Sequence, residues 1–274
     1  MAEVDWDARA RQGTGWQSVI DPGDRDGLKN GLIDRIQWNA IEPWLAGRQR
    51  LLDYGCGIGR FARRVMEKGV AYTGVDASAA MIEAAVQSHA DVHARTPAGQ
   101  PASQPGGQPM SPPVPQFLHA PELPLPLADA SFDAVLSVGV LQCLQTSEGS
   151  QLRAAVADLA RVLEPGGELL MIEQASTSGR HSGSVSAPTS EQDYLDALAP
   201  HFEVVSTRRV RLGSLSRYAG LFIRHGKWLP ARALTQALVA RHETARATRA
   251  YGAQLSVQVY FDVAIQAVRR PAAA

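Results

Sequence analysis

Apolar positions along the 274-residue chain fall into short continuous runs separated by stripes at helical spacing. The runs are Leu51-Leu52, Ala71 to Val75, Phe117-Leu118, Phe132 to Val138 and Leu169 to Ile172. Nearly unbroken runs of this kind suit strands buried on both faces of a parallel sheet. Between them, Arg60 to Met66 carries apolar residues at helical spacing, and Ala77 to Val86 is rich in helix-forming alanine. Gln151 to Leu163 sets Leu152, Val156, Leu159, Val162 and Leu163 on one stripe, which Glu164-Pro165-Gly166-Gly167 stops. Phe202 to Val210 and Val257 to Val268 supply two further strands. Strand and helix alternate through residue 175, which predicts a doubly wound α/β sheet with helices on both faces.

One strand-to-helix junction stands apart from the others. Residues 51 to 59 read LLDYGCGIG, with Gly55, Gly57 and Gly59 at alternate positions after Asp53. Glycine tolerates backbone angles that a side chain would block, so this turn is one that something approaches closely. Short glycine turns also occur in folds that bind nothing, and context must decide. The context is Asp76, which closes the next strand 17 residues after Gly59. An α/β nucleotide-binding unit places at about that distance the carboxylate that accepts hydrogen bonds from a ribose diol.

Composition narrows the class. With 45% hydrophobic residues the chain buries a full core, and its two cysteines, Cys56 and Cys143, provide neither a disulfide framework nor paired metal-ligand spacing. The first residues are polar and acidic with no apolar leader, no apolar stretch reaches membrane-span length, and the expected location is cytoplasmic. Formal net charge is zero, yet residues 201 to 274 hold 12 Lys or Arg against 3 Asp or Glu. Residues 94 to 116 are rich in Pro, Gly, Gln and Ser without apolar period and read as a disordered insertion. Residues 1–45, with four tryptophans, read as a cover segment; 46–212 and 256–270 form the core; 213–255 form a helical lid. Arg217, Arg224, Lys227, Arg232, Arg241, Arg246 and Arg249 stand in that lid against one acid, Glu243. Such a lid suits an acidic substrate or a solvated helical face, and Leu221, Phe222, Trp228 and Leu229 among the cations also suit peripheral contact with an anionic membrane.

Taken in order, LLDYGCGIGRF, YTGVDASAAMI, LPLPLADASFDAVLSVGVLQCL and RVLEPGGELLMIE resemble the motifs of the class I S-adenosylmethionine-dependent methyltransferases, in their small-molecule branch. The resemblance runs from about Ile41 to Val268 and implies a Rossmann-like seven-stranded sheet and S-adenosylmethionine as cofactor. It puts Asp53 and Gly55 near the methionine moiety, with Gly57 and Gly59 letting the backbone approach, and Asp76 on the ribose hydroxyls. Ala77 and Met81 line the adenine side, Ala120 and Glu122 frame it, and His119 stands where the family commonly has an acid. Ser137 lies at the carboxyl end of a central strand, where open α/β sheets bind ligands, and Glu173, at the end of the next, is the one ionisable candidate for a general base. No metal is implied. The expected reaction is an in-line methyl transfer to an O or N acceptor on a small or glycan-like molecule, largely by positioning.

Two rival readings share these residues. A dinucleotide-binding dehydrogenase would show G-x-G-x-x-G, whereas the spacing here is G-x-G-x-G, and Asp53 would repel a pyrophosphate. A non-catalytic, cofactor-binding or regulatory protein would keep the fold and drop the chemistry. Nucleic acid is not an expected partner, since the core is acidic and carries no RNA-binding module.

Overall fold

The computed structural model describes residues 5–12, 15–90, 114–144, 150–176, 190–250 and 260–271. Seven strands form one sheet in the order β3-β2-β1-β4-β5-β7-β6. They are β1 Arg50–Tyr54, β2 Ala71–Asp76, β3 Gln116–His119, β4 Phe132–Val138, β5 Leu163–Ser176, β6 Phe202–Leu212 and β7 Tyr260–Arg269. The first five run parallel, and β7 inserts antiparallel between β5 and β6. Strand order reverses between β1 and β4, so their carboxyl ends open the crevice where such sheets bind ligands. The insertion at 94–113 and the start of the last strand, 257–259, lie outside the described residues.

Nine helices flank the sheet among the described residues: α1 Trp6–Gln12, α2 Trp16–Val19, α3 Leu28–Trp44, α4 Ala62–Met66, α5 Ala79–Ser88, α6 Ser150–Val162, α7 Glu191–Leu198, α8 Arg217–His225 and α9 Arg232–Arg249. Two separate apolar layers result. On one face Leu152, Val156 and Leu159 of α6, with Leu198 of α7, pack on Val135, Leu169 and Ile265. On the other, Leu32, Ile36 and Ile41 of α3 join Phe61, Leu136, Leu170 and the lid residues Phe222 and Ala240. The lid hairpin α8–α9 thus lies over α3, which explains why α3 is buried nearly all round and has no clean amphipathic stripe.

Burying α3 on both sides also buries Asp34, whose carboxylate is met by Arg64 through two hydrogen bonds of 2.8 and 2.9 Å and by Arg60 at 3.0 Å. Both guanidinium groups lie on aromatic faces, Arg60 on Phe61 and Arg64 on Trp38. The cluster ties α3 to the helix that leaves the glycine loop. One boundary departs from the sequence pattern: α6 ends at Val162 and β5 begins at once at Leu163, which pairs with Phe132 before the register shifts. The Glu164-Pro165-Gly166-Gly167 turn is therefore an irregularity at the start of a 14-residue strand rather than a break between elements.

Candidate functional site

The glycine loop bridges β1 and α4. Gly55, Gly57 and Gly59 have φ of 71°, 54° and 69°, all in the left-handed region. Each backbone is approached from a different direction. A Cβ on Gly55 would stand 2.3 Å from Val140 Cγ2, one on Gly57 2.7 Å from Val19 Cγ1, and one on Gly59 2.6 Å from the Phe117 ring. Gly55→Ala therefore combines an unfavourable φ with a collision against a side chain on the turn that follows β4. The expected result is a loss of about 1–3 kcal/mol, read as a lowered Tm.

Asp76 closes β2 directly beneath this loop. Its Oδ2 accepts from the backbone N–H of Gly57 at 2.8 Å and its Oδ1 from that of Ser78 at 2.9 Å. Burial raises its carboxyl above the usual range, against those two N–H groups that favour the charge. A carboxylate offers about four acceptor positions, so two N–H groups leave room for two hydroxyl donors. Ala77 is exposed beside it, and Ala120 donates its N–H to the Asp76 carbonyl at 2.9 Å. His119, paired in register with Asp76, is exposed with Nε2 3.1 Å from the Ala77 carbonyl. Gly55, Gly57, Gly59, Asp76, Ala77 and Ala120 thus gather at one end of β1, β2 and β3.

The other sequence-selected residues sit differently. Asp53 is 2% exposed beneath the loop, where Tyr72 donates its hydroxyl to Oδ2 at 2.6 Å. Burial pushes its carboxyl up to about 6, opposed by the Tyr72 hydrogen bond and the charge of Arg60. Met81 is buried under the start of α5, and Glu122 stands exposed in the turn after β3.

Ser137 and Glu173 form a buried pair, both 0% exposed, at the carboxyl ends of β4 and β5. Ser137 donates its hydroxyl to Glu173 Oε1 at 2.8 Å. The same carboxylate receives the backbone N–H of Val140 at 3.3 Å and of Gln142 at 3.2 Å. Desolvation pushes Glu173 up to about 7 although these donors favour its ionised form. Gln142 completes the link by accepting the Gln174 N–H at 2.7 Å. Glu173 therefore holds the 139–142 turn, and that turn carries Val140 onto Gly55.

The N-terminal segment supplies residues that the motif pattern did not single out. Ser78, whose hydroxyl caps α5 by accepting the Met81 N–H, donates to Asp7 Oδ1 of α1, and Asp7 also accepts the Ala80 N–H at 3.2 Å. Arg9 reaches the Ile20 carbonyl at 3.1 Å, and Val19 of α2 rests on Gly57. The Asp7 contacts span some seventy positions and carry no local periodicity that a sequence reading can detect. Farther along β5 is a cavity of about 320 Å3 lined by Ser176, Ser190, Glu191, Gln192, Leu195, Arg209 and Phe261. The Arg209 guanidinium lies 4.2 Å from the Phe261 ring centre and donates to the Ala250 carbonyl at 2.8 Å, so the lining holds one cation and one acid.

Residues 52–171 match the family model of the methyltransferase domain. Over 152 residues the chain is 29% identical to a malonyl-[acyl-carrier protein] O-methyltransferase of Serratia marcescens, covering 56% of this chain and 49% of that protein. It is 28% identical over 153 residues to a demethylmenaquinone methyltransferase of Tropheryma whipplei, covering 55% and 53%. The chain thus spans about half the length of these curated relatives. Among solved structures, a geranyl diphosphate C-methyltransferase from Streptomyces coelicolor, in complex with Mg2+, geranyl diphosphate and S-adenosyl-L-homocysteine, superposes with a TM-score of 0.58 at 15% identity, covering 91% of this chain and 86% of that one. The [4+2]-cyclase SpnF superposes with a TM-score of 0.53 at 20% identity, covering 95% and 98%.

Proposed function

We propose that the chain, whose residues 52–171 match the methyltransferase domain, is an S-adenosylmethionine-dependent methyltransferase that transfers a methyl group to an oxygen or nitrogen of a small-molecule acceptor. The observation that carries the reading is Asp76: a carboxylate with spare acceptor positions, fixed by Gly57 and Ser78 beneath a glycine loop at the sheet's switch point. Those residues fit the ribose of the cofactor by donor and acceptor chemistry. Gly55, Gly57 and Gly59 would border its amino acid portion, Ala77, Met81, Ala120 and Glu122 its adenine side, and Ser137 the floor by way of Glu173. When bound, S-adenosylmethionine supplies a methyl group on a positively charged sulfur.

The chain's own contribution is positional. Asp76 orients, the α1–α2 cover excludes water over Gly57, and Glu173 fixes the turn that shapes the methyl end of the crevice. With all its contacts directed at Ser137 and the turn, Glu173 serves as a positioning residue more readily than as a base meeting substrate. The cavity beside Ser176 and Arg209 is the proposed acceptor site, and its lining of one cation, one acid and two hydroxyls suits a polar acceptor.

A second reading rests on SpnF, a cyclase of similar fold, which makes methyl transfer only one use of this scaffold. Calorimetric titration with S-adenosylmethionine, with NAD in parallel, tests the proposal. Saturable binding of S-adenosylmethionine alone is expected. Folded protein that binds only NAD, or neither compound, would overturn it; cofactor binding without methyl transfer to any of a panel of hydroxyl and amine acceptors would favour the second reading.

A further inference from the structure

We propose that the α8–α9 hairpin, Arg217 to Arg249, is a docking surface for an anionic lipid bilayer. Six of the ten large hydrophobic side chains exposed among the described residues fall between positions 218 and 238. Trp228 is 77% exposed at the tip, and Leu234 and Leu238, one helical turn apart on α9, are 62% and 59% exposed. Tyr218, Leu221 and Leu229 complete the group. None of these is needed to close the core: α8 turns Ala219 and Phe222 inward, and α9 turns Ala240, Glu243 and Ala247 inward. Monomeric surfaces seldom gather apolar side chains in this way without a partner.

Charge selects the partner. Arg217, Arg224, Lys227, Arg232 and Arg241 are exposed on the same hairpin. The single acid between residues 213 and 250, Glu243, is buried and engaged by Arg246 at 2.9 Å and by the Ser216 N–H at 3.2 Å. From within the hairpin no carboxylate faces the solvent, and Asp26, across from Lys227 at 3.4 Å, is the acid that meets it from a neighbouring segment. A protruding tip with a tryptophan, aliphatic side chains on an adjoining helix face and flanking cations matches the headgroup boundary of an anionic membrane. There the aromatic sits at the interface while arginine stems lie along the apolar surface with their heads toward lipid phosphate. A folded acidic protein would need a fixed register of carboxylates, whereas a bilayer accepts scattered cations and apolar side chains in any register. No described helix is long and apolar enough to cross a membrane, so the contact is peripheral.

The proposal does not depend on methyl transfer. Its test is flotation of the full chain with vesicles of phosphatidylcholine and with vesicles containing phosphatidylglycerol, at low and high salt. Co-flotation with the anionic vesicles, lost at high salt and absent with phosphatidylcholine alone, is expected. Trp228→Ala is expected to weaken partitioning about tenfold, and Leu234→Ser/Leu238→Ser to weaken it further, with thermal unfolding and S-adenosylmethionine binding unchanged. Arg224→Gln/Arg232→Gln should remove the preference for phosphatidylglycerol. Absence of flotation, or flotation that ignores these substitutions, would overturn the proposal. Sedimentation equilibrium revealing a dimer that Trp228→Ala dissociates would also overturn it, assigning the surface to a second copy.

Discussion

Asp76→Ala is expected to reduce S-adenosylmethionine binding by a factor on the order of 100 or more. Two hydroxyl hydrogen bonds to a charged acceptor contribute about 1.5–3 kcal/mol each, and every 1.4 kcal/mol is tenfold in affinity. The substitution has a second effect that must be separated from the first, since it also strips the Gly57 and Ser78 N–H groups of their shared acceptor. Asp76→Asn divides the two. Its amide keeps a carbonyl oxygen for one of the two loop N–H groups, turns an NH2 toward the other, and presents a donor where a hydroxyl would donate. Calorimetry should therefore find Asp76→Asn nearly as impaired in binding as the alanine variant while its Tm falls between those of the alanine variant and the parent chain. If Asp76→Asn bound the cofactor normally, the carboxylate would be a structural brace for the glycine loop and the proposed ribose contact would fail.

Much of this site was legible because it is local. LLDYGCGIG encodes strand and turn in nine residues, with the helix beginning at Ala62, and Asp76 follows at the spacing that a parallel neighbour strand demands; the register pairing Asp53 with Gly74 brings the two motifs together. The continuous apolar run at 132–138 likewise signalled a central strand buried on both faces, and β4 is flanked by β1 and β5. What escaped is what distance in sequence conceals. Tyr72 reads as one more β-forming aromatic, yet its hydroxyl is the partner that lets Asp53 remain buried. The antiparallel insertion of β7 between β5 and β6 is a choice of topology that no hydrophobic pattern announces. Asp7 caps α5 from a separate helix, a use of a lone acid that only the folded chain defines. Glu173 reads as a candidate base because it is the one ionisable residue among those at the strand ends; that the Val140 and Gln142 N–H groups turn back onto it follows from the loop's path and not from its residue types.

Glu173 carries the second large effect, and its sign depends on pH. Its carboxyl titrates at about 7 in the folded chain against 4.5 as the ordinary value, so the native state binds the proton more tightly than the unfolded state. Stability from this group is complete below pH 4.5, falls as pH rises from 4.5 to 7, and is constant above. The span amounts to on the order of 3 kcal/mol. Asp53, at about 6 against 3.8, adds a slope of the same sign that ends at lower pH. Glu173→Gln should therefore flatten the stability profile between pH 6 and 7 while leaving the decline between pH 4 and 6 in part, as urea unfolding at a series of pH values would record. Glu173→Ala has no such redeeming feature. It leaves the Ser137 hydroxyl and the N–H groups of Val140 and Gln142 without their acceptor in a buried space, at about 3–5 kcal/mol. The 139–142 turn would lose its anchor, and Val140 its seat against Gly55, so reduced cofactor affinity should accompany the lower Tm. Glu173→Gln provides the separation from a direct chemical role: a base that meets substrate would lose kcat with the amide at every pH, whereas a positioning residue would keep most of it where the turn stays folded. A profile in which the glutamine variant retained the full decline between pH 6 and 7 would remove Glu173 as its source.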